Sequence, residues 1–163
     1  MVKDGKLSRV FDREWILKVT FAASFGSESL MENYELIREK HEMTLSEFGI
    51  EYLKLIEPVI FSEKLESPIM KNLEKIELMN LSRVCQILLQ MGTFEMLYYP
   101  DIPPEVSINE IVKLAGLFLD DREKRLINSV LDKVFKYFKE KDLLYSEFVK
   151  PLRDKGIRSG LSS

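Results

Sequence analysis

Glu95 is the residue of this chain whose chemistry most needs a partner. It lies in the most apolar stretch, about Leu81 to Tyr98. On a helical wheel of roughly 100° per residue it stands opposite Gln86, between Val84, Leu88 and Met91. A carboxylate in the middle of an apolar face must be paired, hydrogen-bonded or protonated, because an isolated buried charge is expensive. Two arrangements meet that demand. Glu95 can accept hydrogen bonds inside the chain, from the start of another helix or from a tyrosine hydroxyl, or it can emerge at a surface and meet a basic group of a partner, and the two can hold at once. Tyr98, Tyr99 and Ile102 follow directly, with Asp101 among them. Such an aromatic cluster suits an interface core and equally suits packing over a helix end.

Few other residues could do chemistry. Cys85 is the only cysteine and His41 the only histidine of the 163 residues, which leaves no disulfide framework within the chain and no Cys/His metal cluster. Cys85 sits on the apolar stretch and reads as a buried small hydrophobe. His41, between Lys40 and Glu42, reads as solvated. There is no phosphate-cradling glycine loop, no G-x-S-x-G and no carboxylate–histidine pairing. A non-enzymatic protein without metal or cofactor is expected.

A formal net charge of −3 and 31% charged residues argue against bulk electrostatic wrapping of duplex nucleic acid and leave room for local patches. Hydrophobic residues make up 45%, the balance of a folded domain. No apolar run reaches the ~18 residues of a membrane span, and the start Met1-Val-Lys-Asp-Gly-Lys has no signal-peptide core. A cytoplasmic location is the expectation.

The elements that must position these residues are helices, and no stretch reads as a convincing strand. The first is expected over about Phe11 to Phe25, with Trp15, Val19 and Ala22 on its stripe and Gly26 at its end. Ser29 and Glu32 form a capping box for a second helix reaching Glu42, and Thr44 with Glu47 for a third, carrying Phe48, Leu53 and Ile56 and ended by Pro58. Ser67-Pro68 reads as an N-cap followed by proline at the first helical position, opening a fourth helix with Ile69, Leu73 and Ile76 inward. The fifth, about Leu81 to Tyr98, is the central helix, its polar strip being Ser82, Gln86, Gln90 and Thr93.

Two helix starts follow. Pro103-Pro104 forces an extended approach, Ser107 and Glu110 make a capping box, and Val106 with Ile111 a hydrophobic staple, so a helix is expected from Ile108 to about Leu119. Asp120 with Glu123 starts the next, with Leu126, Ile127, Val130, Leu131, Val134 and Phe138 on one face. A short amphipathic piece with Leu144, Phe148 and Leu152 and a frayed end, Arg158 to Ser163, complete the chain. Residues 1–139 thus read as the helical domain and 140–163 as an appended segment.

The run Asp101-Ile-Pro-Pro-Glu-Val-Ser-Ile-Asn-Glu-Ile-Val-Lys-Leu-Ala115, the run Arg125-Leu-Ile-Asn-Ser-Val-Leu-Asp132 and the upstream Thr93-Phe-Glu-Met-Leu97 resemble the C-terminal half of the NusB family of transcription antitermination factors. The resemblance covers residues 93 to about 134, with Ser129 in place of a usual glycine. It implies an all-α bundle of about seven helices in two packed subdomains. It also implies pairing with the ribosomal protein NusE, near a surface that includes Glu95, and binding of a boxA-like single-stranded RNA. Tyr98, Tyr99 and Asp101 join Glu95 as expected partner-binding residues.

In that family a basic first helix contacts RNA. Here the matching run is Arg13 to Phe25, in which Arg13 keeps its charge, Lys18 offers a second, and Glu14 and Trp15 replace basic or small residues. Residues 1 to 18 hold five basic side chains (Lys3, Lys6, Arg9, Arg13, Lys18) against three acidic (Asp4, Asp12, Glu14), a surplus of two. Cys85 to Gln90 also lacks the acid and arginines of the family's D-R-x-V-L-R. Arg9, Arg13 and Lys18, with Arg122 and Arg125 in reserve, are the expected RNA contacts. Because nucleic-acid affinity comes chiefly from neutralised phosphates, two other readings stand beside this one. One is an interaction module of the same fold that has lost RNA and keeps a protein partner or self-associates. The other is the RNA-binding domain of a ribosomal RNA methyltransferase, for which no catalytic part is present.

Overall fold

The computed structural model describes residues 5–73 and 75–148, and among them the chain is helical without a strand. Lys3, Leu152 and the end from Arg158 lie outside the described residues, and of Lys6 and Ile76 the backbone alone is described. Eight helices are present among the described residues: α1 (Gly5–Ala23), α2 (Leu30–His41), α3 (Glu47–Ile56), α4 (Glu63–Met70), α5 (Lys75–Asn80), α6 (Arg83–Tyr98), α7 (Pro104–Ala115) and α8 (Asp121–Glu140).

α6 is the axis of the molecule. It packs against α1, α4, α7 and α8, and Ile87 through Tyr98 are all buried. Of its expected polar strip, Ser82 is exposed and Gln86 half-buried, while Gln90 and Thr93 are buried. Thr93 Oγ1 turns back to the Leu89 carbonyl at 2.9 Å, and Gln90 Oε1 accepts from the Phe61 backbone N–H at 2.6 Å. Gly92 lets α8 approach: a Cβ there would stand 2.6 Å from Leu131 Cδ1.

Helix starts follow their caps where the cap is local. Ser29 and Glu32 exchange both hydrogen bonds of the capping box, and Asp120 accepts from the Glu123 N–H at 2.9 Å. The α8 stripe from Ile127 through Phe138 is buried as its spacing predicts.

Elsewhere tertiary partners override the local signal. Ser67-Pro68 does not open a helix: α4 starts five residues earlier behind Ser62 and carries Pro68 inside, so the expected fourth helix becomes the short pair α4 and α5. α3 starts after Ser46, not Thr44, and makes no side-chain cap of its own. Its N-terminus is capped from α1 instead, where Asp12 accepts from the Ser46 N–H at 3.1 Å and from the Ser46 hydroxyl. Gly49 permits that approach, since a Cβ would meet Asp12 Cγ at 2.8 Å.

α7 begins at Pro104, a full turn before the expected Ile108, because proline at the first helical position needs no backbone donor. Ser107 is therefore inside the helix. Val106, expected as a staple, is 46% exposed. In α1 the inward residues are Asp12, Arg13, Ile16, Leu17, Val19 and Thr20, while Trp15 is half-buried and Ala22 exposed. The expected stripe is rotated because α1 is gripped by α2, α3, α6 and α7 and turns inward Asp12 and Arg13, which Ser46 and Glu95 satisfy.

After α8, left-handed conformations at Asp142 (φ 56°) and Tyr145 (φ 63°) turn the chain back over the end of α6. There the backbone N–H groups of Tyr145 and Glu147 donate to the carbonyls of Met96 and Leu97 at 2.8 and 3.0 Å. Two carbonyls that a helix C-terminus leaves without internal donors are thereby satisfied.

Candidate nucleic-acid and partner interface

Glu95 is fully buried and is the hub of a network that ties four helices together. Arg13 of α1 donates through Nε and Nη2 to its two oxygens at 2.8 and 2.7 Å. The Tyr52 hydroxyl of α3 donates at 2.8 Å and the Ser107 hydroxyl of α7 at 2.8 Å. A bidentate guanidinium–carboxylate pair with two further hydroxyl donors satisfies a charge pair that burial would otherwise penalise heavily. Burial pulls the Arg13 guanidinium down, yet the Glu95 charge and hydrogen bond outweigh it and leave it above its ordinary range. Burial, then the neighbouring Glu95 charge, pushes the Tyr52 hydroxyl well up, so it stays a donor. Of the two arrangements open to Glu95, the folded chain adopts the internal one, with a tyrosine hydroxyl among the donors as the first arrangement allows. Arg13 and Ser107 are partners that the wheel did not reveal, because they arrive from sequence-distant helices.

The remaining expected residues separate into inner and outer sets. Arg13 is turned inward, 4% exposed. Tyr98 and Tyr99 do not lie on an open loop. Tyr98 ends α6, its ring stacked on Phe94 with centroids 4.6 Å apart, and Tyr99 packs against Tyr52 and Phe48 at 5.8 and 5.4 Å. Burial is the first reason the Tyr98 hydroxyl titrates above its ordinary range. Asp101 is outer and meets Arg9 at 3.1 Å. The Arg9 guanidinium carbon also sits 4.6 Å above the Phe48 ring. Lys18 pairs with Glu14 at 2.9 Å and is about as exposed as Arg9. Arg122 and Arg125 are exposed on the first turns of α8, beside a groove of about 480 Å³ that Leu73 and Glu77 also line.

These cations are not one cluster. α1 runs antiparallel to α6, since Arg13 meets Glu95 while Phe25, beyond the end of α1, meets Arg83. Arg9 thus lies at the C-terminal end of α6 and Lys18 further along α1. Arg122 and Arg125 lie near the α6 N-terminus, where Ser82 bonds Glu123 at 3.0 Å. A 16-residue helix such as α6 separates these ends by about 24 Å.

Cys85 is buried and burial raises its thiol to about 12, with Glu123 adding to the shift, which suits an inert packing residue. His41 is exposed, its ring 5.2 Å from Trp15. Among the described residues no group of His, Cys, Asp and Glu could hold a metal ion, and no helix is long and apolar enough to cross a membrane.

With this arrangement in view, comparison with known proteins is direct. Residues 12–136 match the NusB family. The chain belongs to that family. A transcription antitermination protein NusB of Clostridium perfringens (strain SM101 / Type A) is 33% identical over 135 residues, covering 82% of this chain and all of the relative. One from Clostridium botulinum (strain Kyoto / Type A2) is 30% identical over 142 residues, covering 78% of this chain and 99% of the relative. Among solved structures, T. maritima NusB superposes with a TM-score of 0.67 at 27% identity, over 78% of this chain and 90% of that one. A crystal structure of the antitermination factors NusB and NusE in complex with dsRNA superposes at 0.66 over 80% of this chain and 97% of that one. At 20% identity, that second likeness speaks for the fold. The all-α NusB fold that the resemblance implies is thus the fold observed, with eight helices among the described residues where about seven were expected.

Proposed function

We propose that this NusB-family chain is a non-enzymatic transcription antitermination and ribosomal RNA processing factor that pairs with NusE and binds a boxA-like single-stranded RNA. The observation that carries it is the outward face of α1, which keeps Arg9 and Lys18 solvent-accessible while Arg13 points inward and locks the helix to α3, α6 and α7. A rigid helix with outward cations contacts phosphates without a backbone ordering cost. Arg9, Lys18, Arg122 and Arg125 are the contacts in this reading, and Arg13 with Glu95 is the clamp that presents them. Asp101, outermost at the end of α6, is the partner-facing member of the group above the buried Tyr98 and Tyr99. The cytoplasm, where transcripts emerge, is the compartment this role requires.

The test is an anisotropy titration with a boxA-like RNA, with and without NusE. Replacing Arg9 and Lys18 by alanine should weaken binding and lower the log–log salt slope by ~0.7 per lost single-strand phosphate contact. An unchanged slope moves the site to Arg122 and Arg125. No binding by the unmutated protein, even with NusE, favours the second reading, a protein-interaction module without RNA. That reading draws support from the acidic partners already held by Arg9 and Lys18. Self-association, seen by sedimentation, is the homodimer form of it.

A further inference from the structure

α8 is stopped by a turn that its own residues do not favour. The Asp142 N–H donates to the Lys139 carbonyl at 3.3 Å and the Leu143 N–H to the Phe138 carbonyl at 2.8 Å. Such a stop places one residue in the left-handed region, where glycine is usual. Here that residue is Asp142, at φ 56°. Tyr145 is left-handed too, at φ 63°, a conformation disfavoured for a bulky side chain. The run Lys139-Glu-Lys-Asp-Leu-Leu-Tyr-Ser-Glu-Phe148 holds no glycine or proline, and Leu144 and Phe148 stand at helical spacing. Local preference is for α8 to run on, and the seating of residues 143–148 as a strap turns it back.

That seat is small and polar. The strap donates two backbone N–H groups to Met96 and Leu97, the Tyr145 hydroxyl donates to the Ile102 carbonyl at 3.2 Å, and Glu147 meets Lys64 Nζ at 2.7 Å. Leu143 and Leu144 are only partly buried against the core. The strap lies beyond residues 12–136, which match the family.

We propose that the strap exchanges between two copies of this chain. In the resulting dimer α8 continues through Lys141 and Asp142, and residues 143–148 of each copy seat on the α6 end of the other. The occupant follows from identity, because a second copy presents the same carbonyls and the same Lys64, so every strap contact is reproduced across the dimer. Opening the hinge breaks the two bonds of the stop and forms two helical ones, from the Asp142 N–H to the Phe138 carbonyl and from the Leu143 N–H to the Lys139 carbonyl. The number of hydrogen bonds is unchanged and the left-handed Asp142 is relieved. What opposes exchange is the entropy of association, so the dimer grows with concentration. The proposal goes beyond the interaction-module reading and stands whether or not the chain binds RNA.

The experiment is sedimentation of the whole chain and of two charge reversals, Lys64→Glu and Glu147→Lys. Each reversal alone sets like charges together wherever the strap seats, within one copy or between two identical ones. Mixing the two variants restores an opposite pair at both seats, and only in an exchanged dimer. The mixture should therefore form a heterodimer more readily than either variant forms a homodimer, by up to about 5-fold for each of the two pairs, and the preference should fade with added salt. Asp142→Gly, which suits the stop and weakens a continuous helix, should shift the wild-type equilibrium toward monomer by about 2- to 5-fold for each of the two hinges. Asp142→Ala should shift it toward dimer. The side chains of Lys64 and Glu147 are 41% and 37% exposed, so both reversals should keep the wild-type helix content in circular dichroism.

A mixture that gives no more dimer than its components overturns the exchange. So does a dimer that either reversal and Asp142→Gly leave unchanged, which assigns self-association to another face. A chain that stays monomeric at all concentrations, with Asp142→Ala monomeric as well, overturns it equally.

Discussion

Replacing Glu95 by glutamine isolates what the buried network contributes. The substitution keeps the shape of the side chain and removes one charge from a fully buried site where Arg13, Tyr52 and Ser107 all donate to its two oxygens. The hydroxyls of Tyr52 and Ser107 can rotate to accept from the new amide. The guanidinium cannot accept, and it faces an NH₂ group or a single neutral oxygen. Breaking a buried pair by removing one partner costs about 3–5 kcal/mol. A domain of this size has roughly 5–15 kcal/mol in total, so Glu95→Gln should lose a large fraction of its stability in urea unfolding at neutral pH. Arg13→Met alone should cost a similar amount, by stranding Glu95. The double variant, Glu95→Gln with Arg13→Met, should cost much less than the sum, because no buried charge is left, with a coupling of about 2 kcal/mol or more. A Glu95→Gln cost below ~1 kcal/mol, or strict additivity of the two changes, would refute the account of Glu95 as the interior acceptor of a desolvated cation. Affinity for RNA or protein, measured where each variant is folded, should follow the fraction folded and show no separate loss.

Ser107→Ala removes one donor to the Glu95 carboxylate and no helix cap, so it should cost ~1–3 kcal/mol and lose that effect in a Glu95→Gln background, which unfolding cycles can measure. Gly92→Ala would drive its Cβ to 2.6 Å from Leu131 Cδ1 and should destabilise by ~1–3 kcal/mol, with partial recovery on adding Leu131→Val. The Cys85 thiol, raised by burial from its ordinary 9.0 to about 12, is protonated in the fold while the unfolded chain ionises. The stability it contributes is complete below pH 9 and declines as pH rises from about 9 toward 12, and Cys85→Ala should flatten unfolding curves at the start of that window. Tyr52, raised by burial and by Glu95, adds a loss of the same sign above pH 10. A thiol reagent should reach Cys85 at neutral pH only as fast as the chain opens.

Periodicity and local caps carried the sequence reading wherever both partners of an interaction are close along the chain. Ser29 with Glu32, Asp120 with Glu123, the α8 stripe and the apolar circumference of α6 are all decided within a few residues. The demand Glu95 makes for a partner is likewise visible in sequence, because a carboxylate among Val84, Leu88 and Met91 has no neighbour that could satisfy it. Which donors answer that demand is a matter of packing. Arg13 is 82 residues away and Tyr52 43, and no spacing rule connects them. The same cause displaced two helix starts. Ser107 has the right neighbours to cap a helix, but its hydroxyl gains more from a buried carboxylate, so α7 begins a turn earlier at Pro104. Thr44 yields to Ser46 because Asp12, from another helix, caps α3. Residue types therefore decided that the chain is a helical bundle with an acid inside it, since helical period and desolvation cost are local quantities. Only the tertiary structure decided which cations face water and which are consumed in the core, because that depends on the rotation of α1 about its own axis as four other helices close around it.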